Sequence, residues 1–347
     1  MDKILFLAHT EADGTLGKAA YEALTAARNL ARDLKGATLA AGLIGADVAA
    51  AAGTLTGVER VLGVSGAEFG VSRYASDVAA AAALVERCGA TVIVAPATPR
   101  FCRALPGAAA RLDGRIETQV TALSVENAAE GEAVSAERWF YRQRIVARLS
   151  RGERPWFLLT SPGAFEASPT GPAKASLEVV AVDLPAAERR THVAGIEAAA
   201  AEAQTIRPDA ETLLVAGAGW TKKQKDGETH VKDAGRLVLG FLALARASLG
   251  SSKSLVDQSS EGAEVMSFMS HLNQIGQTGS TPRHRKGLAT CCHGEEPHVV
   301  GWRFVSERRA INLDATCGWA QGKADVLYVA DAFEVMAKVN ELLAADA

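Results

Sequence analysis

Short apolar runs alternate with segments of helical periodicity along the first third of the chain, and this alternation limits the folds available to it. The run Lys3 to Ala8 has the length of a buried strand, and Gly17 to Leu34 carries apolar residues three and four positions apart. Further strands are predicted at Thr38 to Ile44, Leu62 to Val64 and Thr91 to Ala95, with helices at Ser76 to Cys88 and within Thr98 to Leu112. Strands and helices that alternate at these lengths predict a parallel, doubly wound α/β sheet.

The stretch from Glu117 to Val182 differs, because its strand-like segments follow one another without helical periodicity between them. Strands are predicted at Val120 to Val125, Trp139 to Leu149 and Trp156 to Thr160. Aromatic residues, which strands favour, begin the second and third of these strands, at Trp139-Phe140-Tyr141 and Trp156-Phe157, and we interpret their rings as core packing. The stretch therefore predicts a β-rich section that closes the first domain.

A second alternating series begins at Thr212. Strands are predicted at Leu213 to Ala216, Leu288 to Cys292, Ala310 to Leu313 and Val326 to Val329, with Ser254 to Asp257 as a short strand or turn. A helix is predicted at Val231 to Ala247, whose buried side holds Leu237, Val238, Phe241, Leu242 and Leu244, and a last helix at Phe333 to Leu343. This series predicts a second doubly wound parallel sheet.

The length of the chain agrees with two domains. Its 347 residues exceed one typical core, since a domain averages about 150 residues. A polar, Ala-rich segment separates the two series, as linkers between domains do. We therefore predict an N-terminal α/β domain over residues 1–200 and a C-terminal domain over residues 201–347, with the linker at about residues 194–211.

Charge and cysteine content exclude several classes of function. A formal net charge of −3 provides no broad positive field for nucleic acid. The five cysteines are an odd number without a disulfide framework, which is typical of a reducing compartment. The apolar run at the N-terminus is too short for a signal peptide, and no apolar stretch reaches the roughly 20 residues that span a membrane. We expect a cytoplasmic protein without a membrane span.

Glycines punctuate the stretch from Leu272 to Gly301. It contains the segment Gly276-Gln277-Thr278-Gly279, a basic run from Arg283 to Lys286, and a strand-like segment followed by two histidines. Glycine lets the backbone approach another group closely, and donors are abundant beside these glycines. We interpret the stretch as part of a site for a bound cofactor.

The topology of the second domain predicts where that site lies. In doubly wound sheets, ligands bind at the carboxyl ends of the strands. Four segments fall there, at Gly217 to Trp220, Gly250 to Lys253, Cys291 to His298 and from Asn312 onward, and helix starts at these ends offer N–H groups to a phosphate. Gly217-Ala218-Gly219 begins a dinucleotide fingerprint, but Lys222 occupies the third glycine position, so the motif alone is weak.

The second domain resembles the FAD-binding domain of the alpha subunit of electron-transfer flavoproteins. Gly276-Gln277-Thr278-Gly279 matches a family segment outright, and His298 falls where the flavin histidine of the family lies. Weaker matches to the family lie at Gly250 to Asp257, Ala310 to Asn312, Val329 to Asp331, His9 to Leu16, Ala95 to Thr98 and Leu105 to Asp113. Together these matches extend over nearly the whole chain.

The resemblance implies a set of cofactor-binding residues and no catalytic residues. It implies that His298 faces the flavin edge that becomes negative on reduction, that Gln277 and Thr278 adjoin the ring or ribityl chain, and that Asn312 and Asp331 hold the adenosine portion. The full implied set is Gly217, Gly219, Trp220, Ser252, Lys253, Ile275, Gly276, Gln277, Thr278, His293, Gly294, Glu295, His298, Asn312, Asp331 and Ala332.

The chain also departs from the family pattern. Lys253 stands where the family has an arginine over the flavin, and an ammonium lacks the planar fork of a guanidinium. His293 replaces a serine, and basic residues replace apolar ones between Gln277 and His298. Alternatives stay open at this point: His298 as a helix cap, Lys253 as a solvated lysine, and Asn312 and Asp331 as turn residues. The basic run is either a solvated face or an attraction for an acidic group.

The resemblance further implies an electron carrier rather than an enzyme that converts a substrate. Its expected partners are a beta subunit in a heterodimer, which holds AMP or a second flavin, a flavin dehydrogenase of the acyl-CoA or N-methyl-amine type as donor, and a quinone oxidoreductase as acceptor. A redox-inactive structural or regulatory subunit and an adenine-nucleotide-binding protein without flavin are the alternatives. A metal site at Cys291, Cys292, His293, His298 and Cys317 is disfavoured, because adjacent cysteines chelate poorly.

Overall fold

The computed structural model describes residues 2–128, 131–141, 145–195, 206–207, 210–258, 264–276, 284–291, 302, 305–316 and 324–346. The chain divides into two compact units, residues 1–197 and 198–347. A nine-stranded sheet belongs to the first unit and a five-stranded sheet to the second, and both are mostly or wholly parallel. The predicted two-domain α/β class is thereby confirmed.

The first half of the N-terminal unit alternates strands and helices as predicted. Its elements are β1 (Lys3–His9), α1 (Lys18–Asp33), β2 (Thr38–Gly45), α2 (Ala49–Ala52), β3 (Arg60–Ser65), α3 (Ala67–Gly70), α4 (Tyr74–Cys88), β4 (Val92–Pro96) and α5 (Pro99–Arg111). Side chains of β1 alternate between two cores, with Phe6 packed on the side of Leu24 in α1 and Leu7 on the side of Leu84 in α4. The central strand is therefore buried on both faces, as a doubly wound sheet requires.

The second half of this unit adds strands to both edges of the sheet. They are β5 (Arg115–Ala128), β6 (Gly131–Phe140), β7 (Ile145–Ser150), β8 (Trp156–Thr160) and β9 (Leu177–Val179), followed by a 3-10 helix at Ala186–Arg189. The strand order is β7-β6-β5-β8-β4-β1-β2-β3-β9, parallel except for the antiparallel pairs β5–β6 and β6–β7. The predicted β-rich section thus extends the parallel sheet as an antiparallel arm.

Two details of this section differ from the sequence prediction. The single strand predicted at Trp139 to Leu149 is wrong, because β6 ends at Phe140 and β7 begins only at Ile145. Tyr141, with a positive φ of 48° and a 75% exposed side chain, follows the end of β6. Core packing holds for Trp156 and Phe157, which are fully buried, but not for Tyr141. The polar segment Arg142-Gln143-Arg144 separates the two strands in the sequence and is the signal that the prediction overlooked.

The C-terminal unit is built on five parallel strands. Its elements are β10 (Thr212–Ala216), α6 (Val231–Leu244), β11 (Ser248–Ser251), α7 (Lys253–Asp257), β12 (His284–Thr290), β13 (Val305–Asn312), β14 (Val326–Val329) and α8 (Ala332–Ala345). The strand order is β11-β10-β12-β13-β14, so the chain moves to one side of β10 for β11 and to the other side for β12. This reversal between β10 and β12 is a topological switch point, where doubly wound sheets bind ligands.

Three predictions for this unit are corrected. Ser254 to Asp257, predicted as a strand or turn, lies in α7, because the Ser252 hydroxyl accepts a hydrogen bond from Leu255 N–H and caps a helix start. The strand of this region is β11, just before it. Leu244, predicted on the buried side of α6, is exposed at the last position of the helix. β12 begins four residues earlier than predicted, at His284.

No helix among these described residues is long and apolar enough to cross a membrane.

Candidate functional site

The carboxyl ends of four strands of the five-stranded sheet meet around a pocket of about 170 Å³. The paired ends lie level, since Ala216 of β10 is opposite Thr290 of β12, and Asn312 of β13 is opposite Val329 of β14. The pocket is lined by Gly219, Lys222, Lys223, Gln224, Cys291, Ile311, Asn312, Leu313, Ala330, Asp331, Ala332 and Phe333. It therefore lies at the edge and beside the switch point that topology designates for a ligand.

The turn after β10 is fastened to the end of β12 by backbone hydrogen bonds. Gly217 N–H donates to the Thr290 carbonyl at 2.8 Å, and Gly219 N–H donates to the Cys291 carbonyl at 3.1 Å. A Cβ on Gly219 would lie 2.8 Å from Cβ of Cys291 and 3.1 Å from its carbonyl oxygen. The close approach of these two segments thus requires glycine at position 219, which gives a structural reason for one glycine of the predicted set.

Trp220 supports the pocket from the core. Its side chain is fully buried, its indole N–H donates to Thr290 Oγ1 at 2.8 Å, and its ring centroid lies 4.6 Å from that of Phe333. The ring thus packs against a residue that lines the pocket, while its one donor is already used. Trp220 therefore supports the pocket wall through its packing on Phe333 and does not line the pocket itself.

Cys291 lines the pocket directly after β12, in the left-handed conformation with a φ of 57°. Burial, and then the Asp331 carboxylate, raise the pKa of its thiol to about 12, so the thiol is neutral at pH 7. Among the described residues, no three His, Cys, Asp or Glu side chains gather in a way that could hold a metal ion. Cys292, His293, His298 and Cys317 lie outside the described residues.

Asn312 and Asp331 both line the pocket, as the prediction of a shared site requires. Asn312 is the last residue of β13, is 3% exposed, and accepts a hydrogen bond from Asp314 N–H at 3.1 Å through its Oδ1. Asp331 caps α8 by accepting from Phe333 N–H at 2.8 Å, and its other carboxylate oxygen lies 3.9 Å from Lys225 Nζ. Ala332, buried at the first position of α8, completes this side.

Lysines on the loop after Thr221 line the opposite part of the pocket. Lys222 and Lys223 are exposed lining residues, and Gln224 lies between them and Lys225. The sequence prediction missed these residues, treating Lys222 only as a break in the glycine fingerprint. The signal available in the sequence is a cluster of three lysines within five residues of a predicted strand-end turn.

The end of β11 carries a second group of predicted residues, which is not among those that line the pocket. Ser252 is buried as the cap of α7, and Ile275 is buried with its N–H donating to the Ser251 carbonyl at 3.1 Å. Gly276 follows at a φ of 75°, which favours glycine. The buried hydroxyl of Ser251 has no hydrogen-bond partner within the described part of the chain, which leaves one polar atom at this strand end for a bound group.

Lys253 lies at the first position of α7 and forms an ion pair with Asp257, with 2.8 Å between Nζ and the carboxylate. His271 Nε2 lies 2.9 Å from the other oxygen of Asp257. Hydrogen bonds from Lys253 and then from His271 lower the pKa of Asp257 below its usual range. The lysine that replaces the arginine of the family pattern is thus held on its own helix, at the carboxyl edge of the sheet.

Gln277, Thr278, His293, Gly294, Glu295 and His298 lie outside the described residues. The described part of the basic run, residues 284–286, is in β12, where His284 is 1% exposed with its Nε2 2.8 Å from the Arg207 carbonyl. Arg285 pairs with Glu307 and Lys286 with Glu211. These residues form the amino-terminal half of the strand, at the opposite end from the pocket.

The carboxyl edge of the nine-stranded sheet is filled by side chains of the protein itself. His9, at the end of β1, has its Nε2 3.0 Å from Thr98 Oγ1 and its Nδ1 3.3 Å from the Thr10 carbonyl. Arg100 donates to the buried carboxylate of Asp77 at 2.6 Å and to the Phe69 carbonyl at 2.6 Å. Burial raises the pKa of Asp77, against the opposing effect of Arg100, and burial lowers the pKa of His9.

Comparison with known proteins points to one family. A family model described as the electron transfer flavoprotein domain matches residues 4–186, which lie within the N-terminal unit. No curated protein matches the chain at a significant level.

Proposed function

The chain belongs to the electron transfer flavoprotein family, whose model matches more than half of its residues, and from this premise we propose that it is the alpha subunit and binds FAD in its C-terminal unit. The observation that carries the proposal is the pocket at the carboxyl edge of the five-stranded sheet, beside the switch point. The family match lies in the N-terminal unit, so the assignment of FAD to the other unit rests on this geometry and on the resemblance of its segments.

The described residues fit the nucleotide half of FAD. Gly219 brings a surface without a side chain to the pocket lining. Asn312 and Asp331 provide oxygen and nitrogen atoms suited to a ribose or an adenine, and Lys222 and Lys223 provide positive charge. Outside the pocket lining, at the neighbouring end of β11, the buried hydroxyl of Ser251 is a further polar atom with no partner among the described residues. When bound, FAD supplies one- and two-electron transfer chemistry that no side chain provides.

For the flavin ring we propose the residues that the resemblance implies. Gln277 and Thr278 hold the ring or its ribityl chain, and His298 donates to the edge that becomes negative on reduction. Loss of that donor in His298→Ala is expected to make the flavin midpoint potential more negative. A redox titration that gives the same potential for both proteins removes His298 from this role.

The proposed partners follow from the family. An electron transfer flavoprotein domain indicates a partner in electron transfer, typically a second subunit, and we propose a beta subunit that forms a heterodimer and holds AMP or a second flavin. The proposed donor is a flavin dehydrogenase of the acyl-CoA or N-methyl-amine type, and the acceptor is a quinone oxidoreductase. The segment at about residues 194–211 is proposed as a hinge that lets the flavin domain turn between partners.

The visible spectrum of the native complex tests this function. The expected result is the absorbance of a flavin that extracts as FAD and that is reversibly reduced and reoxidised. A complex that is colourless and takes up no added FAD contradicts the proposal. Binding of an adenine nucleotide without a flavin spectrum supports the adenine-nucleotide alternative instead.

One observation favours a second candidate, a redox-inactive structural or regulatory subunit. Lys253, in the position of the family arginine, is paired with Asp257 on its own helix. The carboxylate of Asp257 offsets the positive field of this lysine, so it stabilises a negative charge on a neighbouring ring less than an arginine stacked on that ring would. A bound flavin that passes electrons to an artificial acceptor rules out this candidate.

A further inference from the structure

The loop from residue 222 to residue 230 holds its backbone in one arrangement through its own hydrogen bonds. The Gln224 side-chain amide donates to the Gly219 carbonyl at 3.0 Å and to the Lys222 carbonyl at 2.6 Å. Gln224 N–H donates to the Glu228 carbonyl at 2.8 Å, and Gly227 turns the chain at a φ of 84°. The two lysines that line the pocket are therefore carried on a fixed backbone, which lowers the entropic cost of using them for binding.

The pocket side of this loop has an excess of positive charge. Across the residues that the structure describes, neither Lys222 nor Lys223 forms an ion pair, whereas the carboxylates of Asp331 and Asp226 each have a partner. Asp331 caps α8 and faces Lys225, and Asp226 lies 2.6 Å from His230 Nε2. Counted over the described residues, the pocket lining thus combines two lysines that form no ion pair with one carboxylate, that of Asp331.

The ligand that suits this lining is both anionic and hydroxylated. Ammonium groups attract phosphate as point charges, and the start of the 14-residue helix α8, which also lines the pocket, favours negative charge. Asp331 and Asn312 instead suit hydroxyl or amine donors. A nucleoside phosphate has both kinds of group.

We infer that Lys222 and Lys223 bind the phosphates of FAD and so make this site select FAD over uncharged riboflavin. The inference rests on the proposed function, because it takes FAD as the ligand, and it assigns the selectivity to two residues outside the set that the family resemblance implies. The attraction is electrostatic and partly exposed to solvent, so salt should weaken it.

The test compares FAD and riboflavin binding to the full chain, purified with any subunit that accompanies it and stripped of flavin. For Lys222→Gln/Lys223→Gln we expect FAD affinity to fall by about 10-fold at low ionic strength, the effect of two solvent-screened charge contacts. Riboflavin affinity should not change. The loss should shrink between about 0.01 M and about 1 M salt, where the Debye length falls from about 30 Å to about 3 Å. Lys174→Gln/Lys232→Gln removes the same charge from exposed positions that do not line the pocket and should bind FAD like the wild type.

Two results overturn the inference, and they differ in what else they overturn. If the wild type binds FAD and the Lys222/Lys223 variant binds it equally well, the lysines have no role while the proposed function stands. If the wild type takes up no FAD under any condition, the proposed function and the inference both fall.

Discussion

The two sheets of this protein share one architecture but use their carboxyl edges differently. At the edge of the nine-stranded sheet, His9 contacts Thr98 and the Asp77–Arg100 pair lies buried. At the edge of the five-stranded sheet, Asn312 and Asp331 surround a pocket of about 170 Å³ instead. Both edges include a point where the strand order reverses, next to β1 and next to β10.

The comparison shows that a doubly wound topology places a possible ligand site at the carboxyl edge of a sheet, and that the side chains at the edge determine whether it stays open. In the N-terminal unit the polar groups at the edge satisfy one another, which fixes the unit and leaves those groups no bonds for a ligand. In the C-terminal unit the edge holds lysines without counter-charges and a buried hydroxyl without a partner, both counted over the described residues. The edge held by its own ion pair and the edge proposed to bind FAD thus lie in separate units of one chain.

The largest expected effect is a loss of stability when the buried ion pair at the edge of the nine-stranded sheet is broken. Asp77→Ala leaves the Arg100 guanidinium, whose side chain is 7% exposed, without its buried partner. Removing one member of a buried ion pair costs about 3–5 kcal/mol, because the other charge stays desolvated. Urea unfolding should show a loss of that size in the N-terminal unit. The matched control is Asp33→Ala, which breaks an exposed, solvent-screened pair with Arg32 and should cost far less. Equal losses in both variants would show that the filled edge adds no special stability.

The next largest effect is expected from Gly219→Ala, at the edge of the five-stranded sheet where FAD binding is proposed. Gly219→Ala sets a Cβ 2.8 Å from Cβ of Cys291 and 3.1 Å from its carbonyl oxygen, so the backbone on one side must move. We expect a loss of about 1–3 kcal/mol in unfolding free energy and weaker FAD binding, measured by unfolding and flavin titration. Gly235→Ala, in helix α6 with ordinary contact to Phe268, is the control and should stabilise by about 0.5–1 kcal/mol. Unaltered flavin binding in Gly219→Ala would argue against the pocket as the site.

A smaller effect is expected in the pH dependence of stability, through His9 at the edge of the nine-stranded sheet. Burial, and then the charge of Arg100, lower the pKa of His9 below its ordinary 6.5, so the folded N-terminal unit prefers the neutral ring. As the pH falls, the imidazole of His9 takes up a proton in the unfolded chain before it does so in the folded protein. The free energy of unfolding should therefore fall as the pH drops below about 6.5 towards the lowered pKa, at no more than about 1.4 kcal/mol per pH unit for one proton. The comparison of wild type with His9→Gln isolates this contribution from Asp77, whose raised pKa acts in the opposite sense. A pH slope that is the same in both proteins would show that His9 is not the group responsible.

Sequence patterns predict the sheets well because burial on both faces leaves long apolar runs, as in Lys3 to Ala8. They predict the site only in part. Gly219, Asn312 and Asp331 are brought together at the pocket because strand ends in a parallel sheet converge. β11 was missed because Ser248-Leu249-Gly250-Ser251 has little β propensity, and its strand depends on pairing with β10. The roles of Lys222 and Lys223 depend on which acids lie nearby, and no local pattern encodes that.

The smallest expected effect sharpens the role of Lys253 at the binding edge. As half of an exposed pair with Asp257 four residues later, it should contribute only about 0.3–0.5 kcal/mol to stability, and Lys253→Gln should unfold almost like the wild type. If the proposed function is right, its charge also favours the reduced flavin, and the midpoint potential of Lys253→Gln should become more negative. Lys253→Arg keeps the charge and is expected to retain or raise the potential. A potential that is the same in all three proteins would show that the charge of Lys253 does not influence the flavin.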